Sequence, residues 1–300
     1  MIAIYVVSSI WAQPSGLENQ FKIYDSKNHS EVKFPDFIKS VKPADVVFFG
    51  EEHNDSVGHY LEHRIFISLI EEFGNRQALS LEMFERDVQE VMNEYLNGFI
   101  KEKHFKKDAR VWSNYKDYRP LVETAKEKQA SVVCANAPSR YANLAGRRGP
   151  EELNKLGKGS KRYFAPLPYD TASGLYWQKL TGVNLHGSTD TGVHIPVANP
   201  MAGFNLVAAQ SLWDATMGYS ISQFRKENPE KKVLQINGRF HSDERFAAVT
   251  QFSKYRPKDK TIVISCFPSE DFENPEWNKH AGLADFIILT NPAIPKTYEP

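Results

Sequence analysis

Two stretches of this chain share one punctuation. Val46-Val47-Phe48-Phe49 runs into Gly50-Glu51-Glu52-His53, and Val233-Leu234-Gln235-Ile236-Asn237 runs into Gly238-Arg239-Phe240-His241. In both, a strand-like apolar run meets a glycine, and a histidine follows three positions on. A further apolar run, Ala78 to Phe84, carries Glu82 near its end. An imidazole beside a carboxylate is the makings of a general base with its orienting acid, and two imidazoles with two carboxylates also suit a divalent metal ion. Burial shifts the pKa values of such groups and can bring them towards neutrality. Glu52, His53, Glu82 and His241 are therefore the candidate catalytic residues of a strand-end cleft, with Asn136 and Asp214 as candidate neighbours. The plainer reading is a polar cluster that ties strand ends to loops, and spacing alone does not separate the two.

A second pattern, His59-Tyr60-Leu61-Glu62-His63, places two imidazoles at i and i+4 on one helix face, as in inverted zincins. That chemistry needs a third ligand from elsewhere, and the sequence singles out none. The expectation is that these histidines stand at a surface or cleft rim. No Gly-x-Ser-x-Gly elbow, phosphate loop, dinucleotide fingerprint or Cys-x-x-Cys pair is present. A third group is Tyr141, Tyr163, Tyr169, Tyr176, Trp177, Lys179, His186, His194 and Met201. Aromatic rings interleaved with cations suit a flat, anionic, apolar ligand; an ordinary aromatic mini-core is the competing reading.

The elements that must position these groups alternate. Lys22–Asp25 and Glu31–Phe34 read as a hairpin, and Asp36 as the cap of a short helix to Val41. After the strand at 46–49, Ser56 to Phe73 keeps helical spacing and stops at Gly74-Asn75. A strand at 78–84, a helix with Val88, Val91, Met92 and Tyr95 on one side, a polar connection over 101–112, a helix from Asp117 to Lys128 and a strand at 130–135 follow. Such alternation predicts an α/β fold: a three-layer core around a mostly parallel sheet, with a small helical and loop lobe inserted. The expected division is a core over 19–138 and 203–300 and a lobe over 139–202, the lobe ending in a Gly-, Thr- and Asn-rich run from Thr181 to Pro200. A long helix from Phe204 to about Phe224 and strands at 232–237, 261–267 and 284–289 complete the chain.

Bulk properties narrow the function classes. The 300 residues carry 37 basic and 37 acidic side chains, so net charge gives no reason to expect nucleic acid as a partner. With 41% hydrophobic and 12% aromatic residues, the composition is that of a folded protein. The two cysteines, Cys134 and Cys266, fall in apolar strand-like runs and read as small core thiols rather than a disulfide. Residues 1–14 read as the remnant of a signal peptide, apolar to Trp11 with Ala12-Gln13 at the cleavage point, though without a basic start.

The motifs in order resemble a known family. Phe49-Gly50-Glu51-Glu52-His53-Asn54-Asp55, Leu81-Glu82-Met83-Phe84, Asn136-Ala137-Pro138-Ser139-Arg140-Tyr141, Ala209-Gln210-Ser211-Leu212-Trp213-Asp214-Ala215-Thr216-Met217 and Gly238-Arg239-Phe240-His241 are similar to the successive motifs of the ChaN-like haem-binding lipoproteins. The same Gly-x-x-His pair and strand-end Glu also resemble the related erythromycin-esterase-like superfamily. The first resemblance implies an exported, periplasmic or cell-envelope protein of bacterial haem and iron acquisition. It implies ferric haem held by a tyrosinate, a homodimer formed around haem, and an outer-membrane haem receptor as a partner. The second implies, as the alternative, a hydrolase using the strand-end His/Glu cluster. A phenolate is a hard donor suited to ferric iron, and propionates seek cationic partners. Within the lobe, Tyr176 is the first choice of iron ligand and Tyr141 the second, with Lys179, His186 and His194 as cofactor-binding candidates. Family lipoproteins carry a cysteine after the signal sequence; here none precedes Cys134, so a lipid anchor is not expected.

Overall fold

The computed structural model describes residues 16–182 and 204–299, and its frame is a sheet of eight strands among those residues. In chain order these are β1 (Phe21–Asp25), β2 (Ser30–Val32), β3 (Val46–Glu51), β4 (Gln77–Glu85), β5 (Val132–Asn136), β6 (Lys232–Gly238), β7 (Thr261–Pro268) and β8 (Phe286–Thr290). Their order across the sheet is β2-β1-β8-β7-β3-β6-β4-β5. From β8 to β5 every pairing is parallel, while β1 joins β8 and β2 in antiparallel fashion. The α/β, mostly parallel architecture expected from the alternating pattern is the one observed.

The apolar run of β3 has no polar alternation because both faces of the sheet are covered. Val47 and Phe49 join one core with the helices Ser56–Phe73 and Tyr115–Glu127; Val46 and Phe48 join another with Leu206–Glu227 and Ala247–Tyr255. Phe48 and Phe49 are both fully buried, and side chains of this size contribute roughly 2–3 kcal/mol each by leaving water. Helix starts are locally encoded. Asp55 accepts a hydrogen bond from Val57 N at 2.9 Å and Asn205 from Ala208 N at 3.0 Å, each satisfying an otherwise orphaned amide. At the far end of its helix, Gly74 takes φ +59°, which glycine adopts without steric cost.

Three local expectations are corrected. The short helix is Phe34–Val41, so Phe34 is not in a strand; Pro35 sits in the first turn and Asp36 lies inside the helix rather than capping it. The stretch 101–112 contains a helix, Glu102–Asp108, held by fully buried Phe105, which stacks on Tyr95 at 4.4 Å between ring centres. The helix Ala247–Tyr255 was not anticipated, and its Ala248, Val249 and Phe252 cover β3 and β7 from one side. Cys134 and Cys266 are buried free thiols.

In the expected lobe, the described residues 139–182 hold the helices Ser139–Arg148 and Gly174–Thr181 and shorter turns. Tyr141, Ala145, Leu153 and Phe164 pack on Ala208, Ala209 and Leu212 of the long helix. His186, His194, Met201 and most of the Thr181–Pro200 run lie outside the described residues, as do residues 1–14. Among the described residues no helix is long and apolar enough to cross a membrane.

Candidate functional site

Parallel register brings the two Gly-x-x-His units side by side: Gly50 pairs with Asn237 and Glu51 with Gly238. Each glycine makes room for the other unit. A methyl carbon on Gly50 would come within 2.7 Å of both Arg239 Cα and Ser242 Oγ, and one on Gly238 within 2.9 Å of His53 Nε2. The repeated glycine is thus a packing requirement where two strand ends approach each other closely.

Around His241 lies a sealed box. Its Nδ1 stands 2.5 Å from Asp214 Oδ1 and its Nε2 3.3 Å from Glu82 Oε1. Glu82 reaches across from β4, and its Oε2 accepts the Gly238 amide at 2.7 Å. Burial alone would lower the imidazole pKa, but the charges of Glu82 and Asp214 outweigh it and hold the ring protonated up to about 10. Burial would raise Glu82, yet His241 and then His53 keep its carboxyl below the usual range. Asp214 is pushed up by burial, which His241 and Tyr176 only partly offset. The long helix delivers Asp214 and Gln210 together, one turn apart, and Gln210 Nε2 lies 3.2 Å from His241 Nε2.

The second box is built on Glu51. This fully buried carboxylate meets His53 Nδ1 at 2.9 Å and the donated Tyr118 hydroxyl at 2.7 Å, both through Oε1. Burial would raise it, but the His59 and His53 charges pull it well below the ordinary value. His53 is the more accessible imidazole, with 34% of its side chain exposed. Burial would depress its pKa, and the Glu51 hydrogen bond and charge raise it instead. Glu52 points elsewhere: its Oε1 lies 3.5 Å from Arg239 Nη1, and burial raises its pKa against the guanidinium. Arg239 is itself anchored by Asp243 at 2.9 Å and lies over the Phe267 ring.

The structure therefore brings His53, Glu82 and His241 to one edge. Gly238 lies against His53 Nε2 and bonds Glu82, and Glu82 bonds His241. Asp214 joins them. Asn136 does not; its Oδ1 accepts the Ala137 amide at 2.9 Å and turns its own strand end. Two contributors went unnoticed in the sequence, Glu51 and Tyr118. Glu51 had a signal, as the last residue of the β3 run; Tyr118, inside a helix, had none.

The helix histidines are not at a rim, and that expectation is corrected. His59 and His63 are buried, and Glu62 is completely so. His63 Nε2 bonds Thr124 Oγ1 at 2.8 Å, away from His59, so the two imidazoles do not converge on one ion. His59 Nδ1 faces Glu51 and Glu62 instead, at 3.3 Å each.

Within the lobe, Tyr176 is buried and its hydroxyl donates to Asp214 Oδ2 at 2.5 Å. Burial first, then the Asp214 charge, push its phenol far above the usual value. Tyr176 thus adjoins the His241 box directly. Tyr141 lies apart, against Phe164, with Arg140 over its ring and donating to its oxygen at 3.3 Å. Lys179 is paired with Glu244 at 3.4 Å and faces Asp243, so an incoming carboxylate would compete with both. Phenols with cations beside them, Tyr176 and Tyr141 with Lys179 and Arg140, are groups of the kind that could meet a haem iron and its carboxylates. A concavity of about 600 Å³ lies elsewhere, between Gln89, Lys126, Val132 and Phe224.

Comparisons with known proteins bear on the family and the fold. The family described as "Haem-binding uptake, Tiki superfamily, ChaN" matches residues 37–252. Among solved structures, "Cofacial heme binding to ChaN of Campylobacter jejuni" superposes with a TM-score of 0.65 at 17% identity, covering 91% of this chain and 98% of that one. At that identity it supports the fold alone. The type III effector HopBA1 aligns over 85% of this chain and 91% of its own with a TM-score of 0.42 and 11% identity, too low to carry an argument. No curated protein matches the chain. Because the family match takes in all five strand-end and helix motifs, Gly50 through His241, and most of the chain, this protein belongs to the ChaN haem-binding uptake family of the Tiki superfamily.

Proposed function

We propose that this protein is an exported haem-binding protein of the bacterial envelope, serving haem and iron acquisition, with ferric haem held by a tyrosinate between two copies of the chain and passed on from or to an outer-membrane receptor. Family membership supports haem as the ligand. The choice of ligand residue rests on one observation, the short hydrogen bond from Tyr176 to Asp214. A phenol ligates iron after losing its proton; burial and the Asp214 charge oppose that loss while no iron is bound, and Asp214, to which the hydroxyl donates, is the group placed to take the proton when iron binds. Bound haem supplies the Lewis acid. Asp214 would receive the proton, a propionate would compete with Asp87, 2.6 Å from Arg140, for that guanidinium, and exposed Leu175 beside Tyr176 offers apolar surface to a porphyrin or a second subunit. Tyr141 remains the second ligand choice. Titration of the purified full chain with hemin is expected to give a high-spin tyrosinate spectrum and a shift from monomer to dimer. Tyr176→Phe is expected to abolish that spectrum; if Tyr141→Phe abolishes it instead, the ligand is Tyr141, and if neither does, the tyrosinate assignment is wrong.

One observation favours a second reading, a hydrolase of the erythromycin-esterase-like type. His53 combines an orienting carboxylate on Nδ1 with an accessible ring, the pairing required of a general base. Loss of an esterase activity in His53→Ala with unchanged haem affinity would favour it.

A further inference from the structure

We infer that Glu51, His59 and Glu62 form a buried site for one divalent transition-metal ion, separate from the haem-binding residues. Their donor atoms all lie within 4.8 Å of one another, and all three side chains are buried. The site answers the question left by the His-x-x-Glu-His pattern. The third ligand comes from the end of β3, and the helix contributes His59 and Glu62 rather than its two histidines.

Three features argue for a metal rather than a simple ion-pair cluster. First, His59 Nδ1 stands 3.3 Å from Glu51 Oε2 and 3.3 Å from Glu62 Oε2. A charge-assisted N–H···O bond is usually about 2.7–2.9 Å. Neighbouring donors around a tetrahedral ion with bonds of about 2.1 Å stand about 3.4 Å apart. Second, Glu51 Oε2 and Glu62 Oε1 accept no hydrogen bond from any other element among the described residues, and the two wholly buried carboxyl groups face each other. Unsatisfied buried oxygens of this kind ask for an unseen partner.

Third, the supporting contacts are those that hold metal ligands in place. His59 Nε2 lies 3.1 Å from the His53 carbonyl, which can only accept, so Nε2 carries the hydrogen and Nδ1 is left for the ion. Glu51 Oε1 is fixed by Tyr118 and His53, leaving Oε2 directed at His59. One imidazole nitrogen with carboxylate oxygens suits Zn²⁺ or Mn²⁺ rather than a soft ion.

The test uses the full chain, stripped with a chelator and then dialysed in parallel against Zn²⁺ or Mn²⁺, with metal content measured after removal of excess. Wild type and His63→Asn are expected to retain one equivalent. Glu62→Gln, shown folded by circular dichroism, is expected to bind at least tenfold more weakly. Co²⁺ added to wild type should give visible d–d bands, a readout that does not depend on any variant folding. No retained metal in wild type, absence of Co²⁺ bands, or equal retention by Glu62→Gln would overturn the inference. So would loss of the metal in His63→Asn with retention in Glu62→Gln. Haem affinity is measured alongside; its failure would bear on the tyrosinate reading and leave this site untouched.

Discussion

Gly238 of β6 lies against the imidazole of His53, two residues past the end of β3, with only 2.9 Å between His53 Nε2 and the place a methyl group would occupy. The relationship is reciprocal, because Gly50 is approached as closely by the backbone of Arg239. Gly50→Ala is therefore expected to lose about 1–3 kcal/mol of stability, since backbone cannot yield as a side chain can. Gly238→Ala should cost less overall but displace His53. Urea unfolding of both variants, with the His53 ring resonances followed by NMR, checks the pair.

The pH dependence of stability follows from His241. Its folded pKa of about 10 exceeds the ordinary value of 6.5, so its contribution is complete below pH 6.5 and is lost as pH rises through 10. Within that window stability should fall by up to about 1.4 kcal/mol per pH unit for this one group. Melting temperatures from pH 6 to pH 9 are expected to decline, and His241→Gln should flatten the decline while lowering stability throughout.

Tyr118 donates to a carboxylate that water does not reach. Tyr118→Phe removes that donor and leaves Glu51 Oε1 with His53 alone. A loss of about 1–3 kcal/mol is expected from denaturant unfolding. Little change would mean that His53 compensates fully.

Asp214→Asn isolates the proton acceptor of Tyr176. The amide still fills the space but cannot take the phenol proton. Hemin binding is expected to weaken near neutral pH and to recover as pH rises, because the proton must then leave to solvent. Spectral titration at pH 7 and pH 9 distinguishes this from loss of fold, which would not recover.

Much of the frame was legible because β3 is an unbroken apolar run and β4 and β6 are mostly apolar, each ending in polar punctuation, a local signal. The register that sets Gly50 beside Asn237 was not written in either run alone, yet the repeated spacing pointed to it. What escaped was long-range. His59, Glu62 and His63 look like the wet face of a helix, since polar residues usually face water. Their burial is sustained by Glu51 and Thr124 from other elements, which no window of the helix contains. The helix 102–108 offers one buried anchor, Phe105, among lysines, and a single apolar residue sets no period. Similarly, Ala247–Tyr255 is short, and its apolar positions resemble a loop crossing the surface.

The 600 Å³ concavity beside Gln89 has a bearing on assembly. Gln89 donates to Val132 O at 2.8 Å and accepts from Cys134 N at 2.8 Å, so its amide imitates a neighbouring strand along β5. At the opposite margin β2 is only three residues long. Neither border is a template on which another chain could extend the sheet. A dimer of the kind proposed above would then join through helical or loop surfaces rather than through strand borders, which disfavours runaway fibre growth.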